Sequence, residues 1–281
     1  MIQDIGPHRL HNEYRADQRP RAGDPVFFFD ERSLLVRPGE GTFSLPGAED
    51  AGDAEGLIYL FALDDKSFFL SQGQAPSDLA DKGFVYKDIR SLRREGYGPK
   101  EMYFAALTAL QLSSWYRDNR FCGTCGHTTI LSHKERAVVC PACGRTIYPR
   151  IVPAVIVGVT DGDRILMTKY AGRGIPFYAL IAGFTEIGET FEETVAREVM
   201  EEVGLKVKNI RYYKSQPWAI ADDILAGFYC DVDGDTTICL DTSELREGVW
   251  MKREEVVLQP DDYSLTNEMM LMFKEGREPR A

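Results

Sequence analysis

Residues 183–204 read Gly-Phe-Thr-Glu-Ile-Gly-Glu-Thr-Phe-Glu-Glu-Thr-Val-Ala-Arg-Glu-Val-Met-Glu-Glu-Val-Gly. Seven of the first twenty positions are glutamates: Glu186, Glu189, Glu192, Glu193, Glu198, Glu201 and Glu202. Carboxylates at this density repel one another on an ordinary helix face. A counter-charge is therefore expected, and hard divalent cations, which take oxygen ligands, supply one. Thr190 is a natural N-cap, with Glu193 three residues on completing a capping box. Gly204 is a natural C-terminal stop, since it accepts a left-handed conformation. Together they predict a helix over about 191–203. At about 100° per residue, Glu198, Glu201 and Glu202 share one arc and Val195, Val199 and Val203 the adjoining one. One side should pack into a core while its neighbour presents three carboxylates at the rim. Glu189 can bend in toward the same place, and Arg197 is placed to orient carboxylates by charge-assisted hydrogen bonds.

The bland alternative is a solvated acidic helix, and the spacing argues against it. Gly183 is followed after five residues by Glu189, after seven more by Arg197-Glu198-Val199, then by Glu201-Glu202 and Gly204-Leu205. At these positions the segment resembles the Nudix box without a departure. The resemblance implies an α+β protein containing a Nudix α/β/α sandwich, and a hydrolase for a nucleoside diphosphate linked to another group. It also implies Mg²⁺ or Mn²⁺ as catalytic cofactor. Glu198 and Glu202 would be direct ligands, Glu201 a ligand or base, and Glu189 and Arg197 supporting groups. The chemistry is coherent, because carboxylates alone would repel an anionic pyrophosphate. Bridging cations neutralise that charge, lower the pKa of water and align an in-line displacement.

A second cluster lies upstream. Cys122-Gly-Thr-Cys125 and Cys140-Pro-Ala-Cys143 are each followed by glycine, Gly126 and Gly144, and read as a zinc ribbon. Thiolates suit zinc and glutamates suit magnesium, so two different metals are implied. Two disulfides are the structural alternative. The absence of a signal peptide, and the placing of Cys230 and Cys239 far away, favour zinc and a reducing cytoplasm. Four cysteines complete a tetrahedral shell, so His127 and His133 read as surface residues and the zinc as a structural staple.

A four-cysteine ribbon closely followed by this box resembles one branch of the superfamily, the NADH pyrophosphatases. Ser215-Gln216-Pro217-Trp218 matches the first four positions of that branch's Ser-Gln-Pro-Trp-Pro-Phe-Pro-x-Ser, and Ala219-Ile220-Ala221-Asp222-Asp223 departs from the rest. The resemblance implies substrate contacts at Gln216, Pro217 and Trp218, adenine stacking on Phe184, and further contacts at Tyr148 and Thr266. It implies metal ligation by the Ala182 carbonyl and by Glu244. Read from the residues alone, Phe184 and Tyr148 could be ordinary core, Glu244 a surface carboxylate, and Ser215 to Trp218 a strand end. Losing two prolines loosens the 219–223 segment, Ile220 removes a stacking surface, and the two aspartates add negative charge.

The chain has 281 residues, 44% hydrophobic, with net charge −11. That is enough for one large or two modest cores, and it argues against a basic nucleic-acid surface. Anionic substrates would then be drawn by bound cations and by nearby basic groups such as Lys169 and Arg173. No apolar run is long enough to span a membrane. Residues 1 to about 22 read as a loose polar lead-in, and short apolar runs from Val26 to Tyr86 as a β-rich amino-terminal domain over 1–98. A linking helix is expected over 99–120, the ribbon over 121–148 and the hydrolase domain over 149–281. That last domain should hold strands at 152–159 and 165–167, a segment at 177–181 that leads into the box, later strands at 210–213, 226–232 and 249–251, and a closing helix at 264–274.

Three functions follow from this reading. The first is hydrolysis of NADH or NAD⁺ to AMP and nicotinamide mononucleotide, by a cytoplasmic homodimer as the branch implies, with NAD-capped RNA presenting the same bond. The second keeps the hydrolase and changes the substrate, to ADP-ribose, a dinucleoside polyphosphate or a nucleotide sugar, as the altered 219–223 segment suggests. The third is a nucleotide-sensing ribbon protein without turnover.

Overall fold

The computed structural model describes residues 1–52, 56–96, 98–172 and 176–280. The chain divides into two compact units, Asp4–Arg150, and Ile151–Ala281 together with Met1–Gln3.

The apolar runs of the amino-terminal unit form a seven-stranded sheet in the order Leu10–His11, Ile58–Leu63, Lys66–Ser71, Val26–Asp30, Ser33–Gly39, Thr42–Ser44. Val85–Asp88 pairs with Ser33–Gly39. Val26, Phe28, Leu35, Tyr59, Phe69 and Phe84 are buried in its core. The expected linking segment becomes the helix Lys100–Asp118. The cysteine segment follows as three short antiparallel strands, Ile130–Leu131, Val138–Val139 and Thr146–Ile147.

In the carboxyl-terminal unit, a mixed sheet runs Val207–Trp218, Asp223–Val232, Val152–Asp161, Arg164–Tyr170, Leu245–Lys252. The central strand Val152–Asp161 is parallel to Asp223–Val232. At Thr160 and Asp161 it pairs with Arg164–Tyr170, and from Ala154 to Val157 with Ile181–Phe184. Side chains alternate across a strand. Ala154 and Ile156 therefore reach one face, with Tyr229, Met269 and Phe273, while Val155, Val157 and Val159 reach the other, with Val195, Val199 and Val203. The helix Leu265–Lys274 covers the first face and the helix Phe191–Val203 the second. Each of the three helix valines is fully buried, contributing on the order of 2 kcal/mol. The result is a sheet between two helices in an α+β chain.

One expectation needs correction. The extreme amino terminus is not loose: Ile2 is fully buried and its N–H donates to the Tyr263 carbonyl at 3.0 Å. Met1 and Ile2 are apolar, and the polar residues that follow hid this in the sequence. The 177–181 segment forms a strand only from Ile181, its Ala179 making an isolated bridge to Thr168. Among the described residues, no helix is long and apolar enough to cross a membrane.

Candidate metal and nucleotide site

The carboxylate helix has the caps its sequence implies. Thr190 Oγ1 accepts from the Glu193 N–H at 3.2 Å, Glu193 Oε2 accepts from the Thr190 N–H at 2.8 Å, and Gly204 takes φ +71°. The single arc of carboxylates divides. Glu198 and Glu202, about 40° apart on the helix, are buried beside the valines, at 9% and 3% exposure, whereas Glu201 stays in solvent. Two buried carboxylates one turn apart are costly unless opposite charge lies nearby. Burial pushes the Glu198 carboxyl up, with Arg197 opposing and Glu201 and Glu244 adding to the rise.

Gly183 faces that carboxylate. A Cβ at 183 would stand 1.8 Å from Glu198 Cδ, so the strand can approach the helix this closely only without a side chain. Arg197 then ties the pieces together. Its Nε and Nη2 hold both oxygens of Glu189 at 2.6 and 2.9 Å, and Nη1 reaches Glu198 Oε1 at 2.8 Å and Glu201 Oε2 at 2.9 Å. Nη2 also donates to the Phe184 carbonyl at 2.9 Å. Glu189 further accepts from the Glu186 N–H and the Thr194 hydroxyl. Arg197 above all holds the Glu189 carboxyl down at about 2.

Glu244 approaches from another loop. The Asp241 N–H donates to the Glu202 carbonyl at 2.9 Å, and the Glu244 N–H donates back to the Asp241 carbonyl, fixing the turn that carries Glu244. Buried glutamates against a glycine backbone, with the Glu244 carboxylate close enough to act on Glu198, are oxygen donors of the kind a hard cation takes, although their oxygens are not gathered as closely as the cysteine sulfurs are.

The opposite face of the sheet carries the nucleotide candidates. Gln216, Leu225, Ala154 and Phe184 lie in one row across four strands, and Trp218, Asp223 and Val152 in the next. Phe184 is exposed, Pro217 exposed and Trp218 half-buried. Gln216 is fully buried: its amide donates to Gln3 Oε1 and the Tyr263 carbonyl and accepts from the Leu265 N–H at 2.7 Å. Its side chain thereby joins the strand to the amino terminus and to the start of the last helix. Thr266, in that helix's first turn, is half-buried. Ala182 pairs with Ile156. Tyr148 belongs to the amino-terminal unit, where it is exposed and donates to Glu135 at 2.9 Å.

The basic groups upstream of the box fare differently. Lys169 is engaged, bonding Glu247 at 2.7 Å and lying 3.9 Å from the Tyr178 ring centroid. Arg173 lies outside the described residues.

Asp223 received no role from the sequence beyond added charge. It is 7% exposed, its Oδ1 has no hydrogen-bond partner among the described residues, and burial, with Asp222 adding, raises its carboxyl to about 7.

The four cysteines converge. Cys122 and Cys143 sulfurs lie 3.6 Å apart, Cys125 and Cys140 sulfurs 3.4 Å apart, and all four fall within 4.8 Å of one another. These separations are too long for disulfides and suit a tetrahedral zinc with bonds of about 2.3 Å. The knuckles repeat one pattern. Cys122 N–H donates to the His127 carbonyl and Gly126 N–H to the Cys122 carbonyl, while Cys140, Arg145 and Gly144 do the same. Gly126 and Gly144 take φ of 76° and 75°, which glycine adopts without strain. Backbone N–H groups of Thr124 and Cys125 pull the Cys122 thiol down to about 6, favouring the thiolate a metal needs. His127 and His133 are exposed. Among the described residues no other group brings three such ligand atoms this close, the glutamates included.

Comparison with known proteins agrees with this layout. The NUDIX domain family matches residues 149–271, and the NADH pyrophosphatase zinc ribbon domain matches 117–148. The chain is 39% identical over 175 residues to the NAD-capped RNA hydrolase NudC of Enterobacter sp. (strain 638), covering 62% of this chain and 67% of that protein. It is 38% identical over 196 residues to NudC of Erwinia tasmaniensis, covering 69% of this chain and 70% of that one. A NUDIX hydrolase of known structure from Nitrosomonas europaea is 20% identical, with a TM-score of 0.49, over 56% of this chain and 92% of that chain.

Proposed function

The chain belongs to the zinc-ribbon NADH pyrophosphatase branch of the Nudix hydrolases, and on that premise we propose that it hydrolyses the pyrophosphate bond of NADH or NAD⁺ to AMP and nicotinamide mononucleotide. The observation that carries the reading is the pair Glu198 and Glu202, buried one turn apart, with the Glu198 carboxylate packed on Gly183. Glu198, Glu202 and Glu244, with the Ala182 carbonyl, would hold Mg²⁺ or Mn²⁺. Such a cation supplies charge neutralisation and a more acidic water at the phosphates.

The protein's own groups do the rest. Arg197 fixes Glu189 and Glu198 in orientation and also holds Glu201 Oε2, so that the other Glu201 oxygen, exposed at the rim, can accept a proton from the attacking water. Glu189, held ionised, is an anchor and no proton donor. On the other side of the Ile181–Phe184 strand, the exposed Phe184 ring offers a stacking face for a base, with Trp218 and Pro217 further along the same side. One short strand thus borders both the acidic site and the base platform. The likeness to NAD-capped RNA hydrolases extends the proposal to the NAD cap of RNA, which presents the same bond.

The test is product analysis of NADH with and without Mg²⁺ or Mn²⁺. AMP should form only with metal, and Glu202→Gln should abolish it. Metal-independent turnover, or full activity in that variant, removes the proposal. The altered 219–223 segment favours a second reading with another nucleoside diphosphate derivative. A kcat/KM panel including ADP-ribose and diadenosine polyphosphates separates the two.

A further inference from the structure

The segment 121–148 buries little besides its own sulfurs. Cys122, Ala137, Val138 and Cys140 are its buried residues, and its strands are two residues long. The cysteine cluster is therefore the core of the ribbon, and that core is only half covered. Cys122 and Cys140 are buried, whereas Cys125 and Cys143 are exposed. The near neighbours run across the two knuckles. Cys125 Sγ lies 3.4 Å from Cys140 Sγ, and Cys143 Sγ lies 3.6 Å from Cys122 Sγ. Each exposed sulfur thus has a buried sulfur of the other knuckle beside it. Arg145 of the second knuckle donates to the Thr124 hydroxyl of the first, which holds the two together. A disulfide sets its sulfurs about 2.05 Å apart, so either pair closes with an approach of about 1.5 Å.

We propose that the ribbon cluster is an oxidation site, where hydrogen peroxide closes two cross-knuckle disulfides, Cys125–Cys140 and Cys122–Cys143, and frees the zinc. Cysteine ligands of zinc are deprotonated, and the thiolate is the form that attacks peroxide. The exposed Cys125 thiolate attacks one peroxide oxygen. The O–O bond breaks, hydroxide leaves, and Cys125 becomes a sulfenic acid. The Cys140 thiolate then attacks that sulfur. The S–S bond forms, the S–O bond breaks, and a second hydroxide leaves. Each sulfur has lost one electron and the peroxide has gained two. Cys143 and Cys122 repeat the sequence, so two peroxides are consumed for each zinc, which disulfide sulfurs without charge no longer hold. The buried sulfur stands beside the exposed one before any oxidant arrives, and this diverts the sulfenic acid from the irreversible sulfinic stage. A dithiol reductant reopens both bonds by exchange. Nothing in this chemistry depends on turnover of a nucleotide.

The experiment uses the full wild-type chain, reduced and zinc-loaded, with hydrogen peroxide added in steps and a zinc-binding dye reporting released metal. The product is then denatured, alkylated and digested with trypsin without reduction. Cleavage after Arg120, Lys134, Arg136 and Arg145 places the first knuckle in peptide 121–134 and the second in peptide 137–145. Cross-knuckle disulfides join these peptides and fragmentation assigns the partners, whereas disulfides within a knuckle leave them separate. One zinc should appear for every two peroxides consumed. Free thiols should fall from six to two per chain, leaving Cys230 and Cys239. The joined peptides should carry Cys125–Cys140 and Cys122–Cys143, and the chain should rebind zinc after dithiothreitol. Cys239, exposed and outside the cluster, is the internal control and should react more slowly. Zinc retained after Cys239 has been oxidised overturns the proposal. So do disulfides within a knuckle, cross-knuckle disulfides with the partners exchanged, or sulfinic and sulfonic acids in place of disulfides. A reduced chain that binds no zinc overturns it as well.

Discussion

The Glu198 carboxylate occupies the space that a side chain at position 183 would need. An alanine Cβ there would lie 1.8 Å from Glu198 Cδ and 2.0 Å from Oε1. Gly183→Ala should therefore expel the carboxylate from its seat while altering one small residue. Misplacing a reacting constellation by about 1 Å costs on the order of 10²-fold. We expect kcat/KM to fall by at least that much, with circular dichroism near that of wild type. Activity within threefold of wild type would show that Glu198 can leave its seat without consequence.

Arg197 makes a different prediction because it is the hub of several carboxylates. A lysine keeps the charge and loses the planar fork that serves Glu189, Glu198, Glu201 and the Phe184 carbonyl together. Arg197→Lys should lower activity about 10–100-fold and raise the Mg²⁺ concentration giving half-maximal rate. The Glu189 carboxylate, depressed by this arginine, contributes stability that is present above the ordinary value near 4.5 and lost only as pH falls through about 2. In Arg197→Lys that contribution should be smaller and its loss complete at a higher pH, visible in an acid titration followed by intrinsic fluorescence.

The helix at 191–203 was legible because its instructions are local. Thr190, Glu193 and Gly204 each act within four residues, and the structure repeats them. The cysteine knuckles were legible for the same reason. Gln216 was not: its partners Gln3, Tyr263 and Leu265 lie 213, 47 and 49 positions away, so nothing nearby announces them. Lys169 read as a free cation because its counter-ion Glu247 arrives only through strand pairing. The box glycine was visible as a letter, but its cause, the carboxylate pressed against it, belongs to packing.

Zinc removal should act on the ribbon. With sulfurs 3.4–3.6 Å apart and no disulfide, reduced and metal-free cysteines leave residues 121–148 to short two-residue strands and a few hydrogen bonds such as Arg136 to the Leu60 carbonyl. Cys140→Ser should abolish bound zinc measured by atomic emission, and it should sharply increase proteolysis within the ribbon. Wild-type protease resistance in the zinc-free protein would remove the structural role.

Gln216→Ala should act through stability. It deletes three hydrogen bonds, one buried and two part-buried, and strands the Leu265 N–H at the start of the closing helix. A loss of about 2–4 kcal/mol follows from the desolvated partners left behind. Urea denaturation monitored by tryptophan fluorescence should give a lower midpoint, and an unchanged midpoint would mean that the amide's partners are satisfied without it.

Asp223 predicts a pH-dependent stability of unusual sign for a carboxylate. Its folded carboxyl, raised to about 7 by burial with Asp222 adding, holds its proton more tightly than the unfolded one at 3.8. Between those values the native state binds more protons than the unfolded state, so stability falls as pH rises from about 4 and levels off above about 7. Discounted for solvent reaching the end of the strand, the penalty at pH 8 is about 1–2 kcal/mol. Asp223→Asn removes the titration while keeping the shape. The variant should therefore gain a few degrees in Tm over wild type at pH 8 and lose that advantage at pH 4. A Tm difference that is the same at both pH values would show that the Asp223 carboxyl ionises in the folded protein as freely as in the unfolded chain.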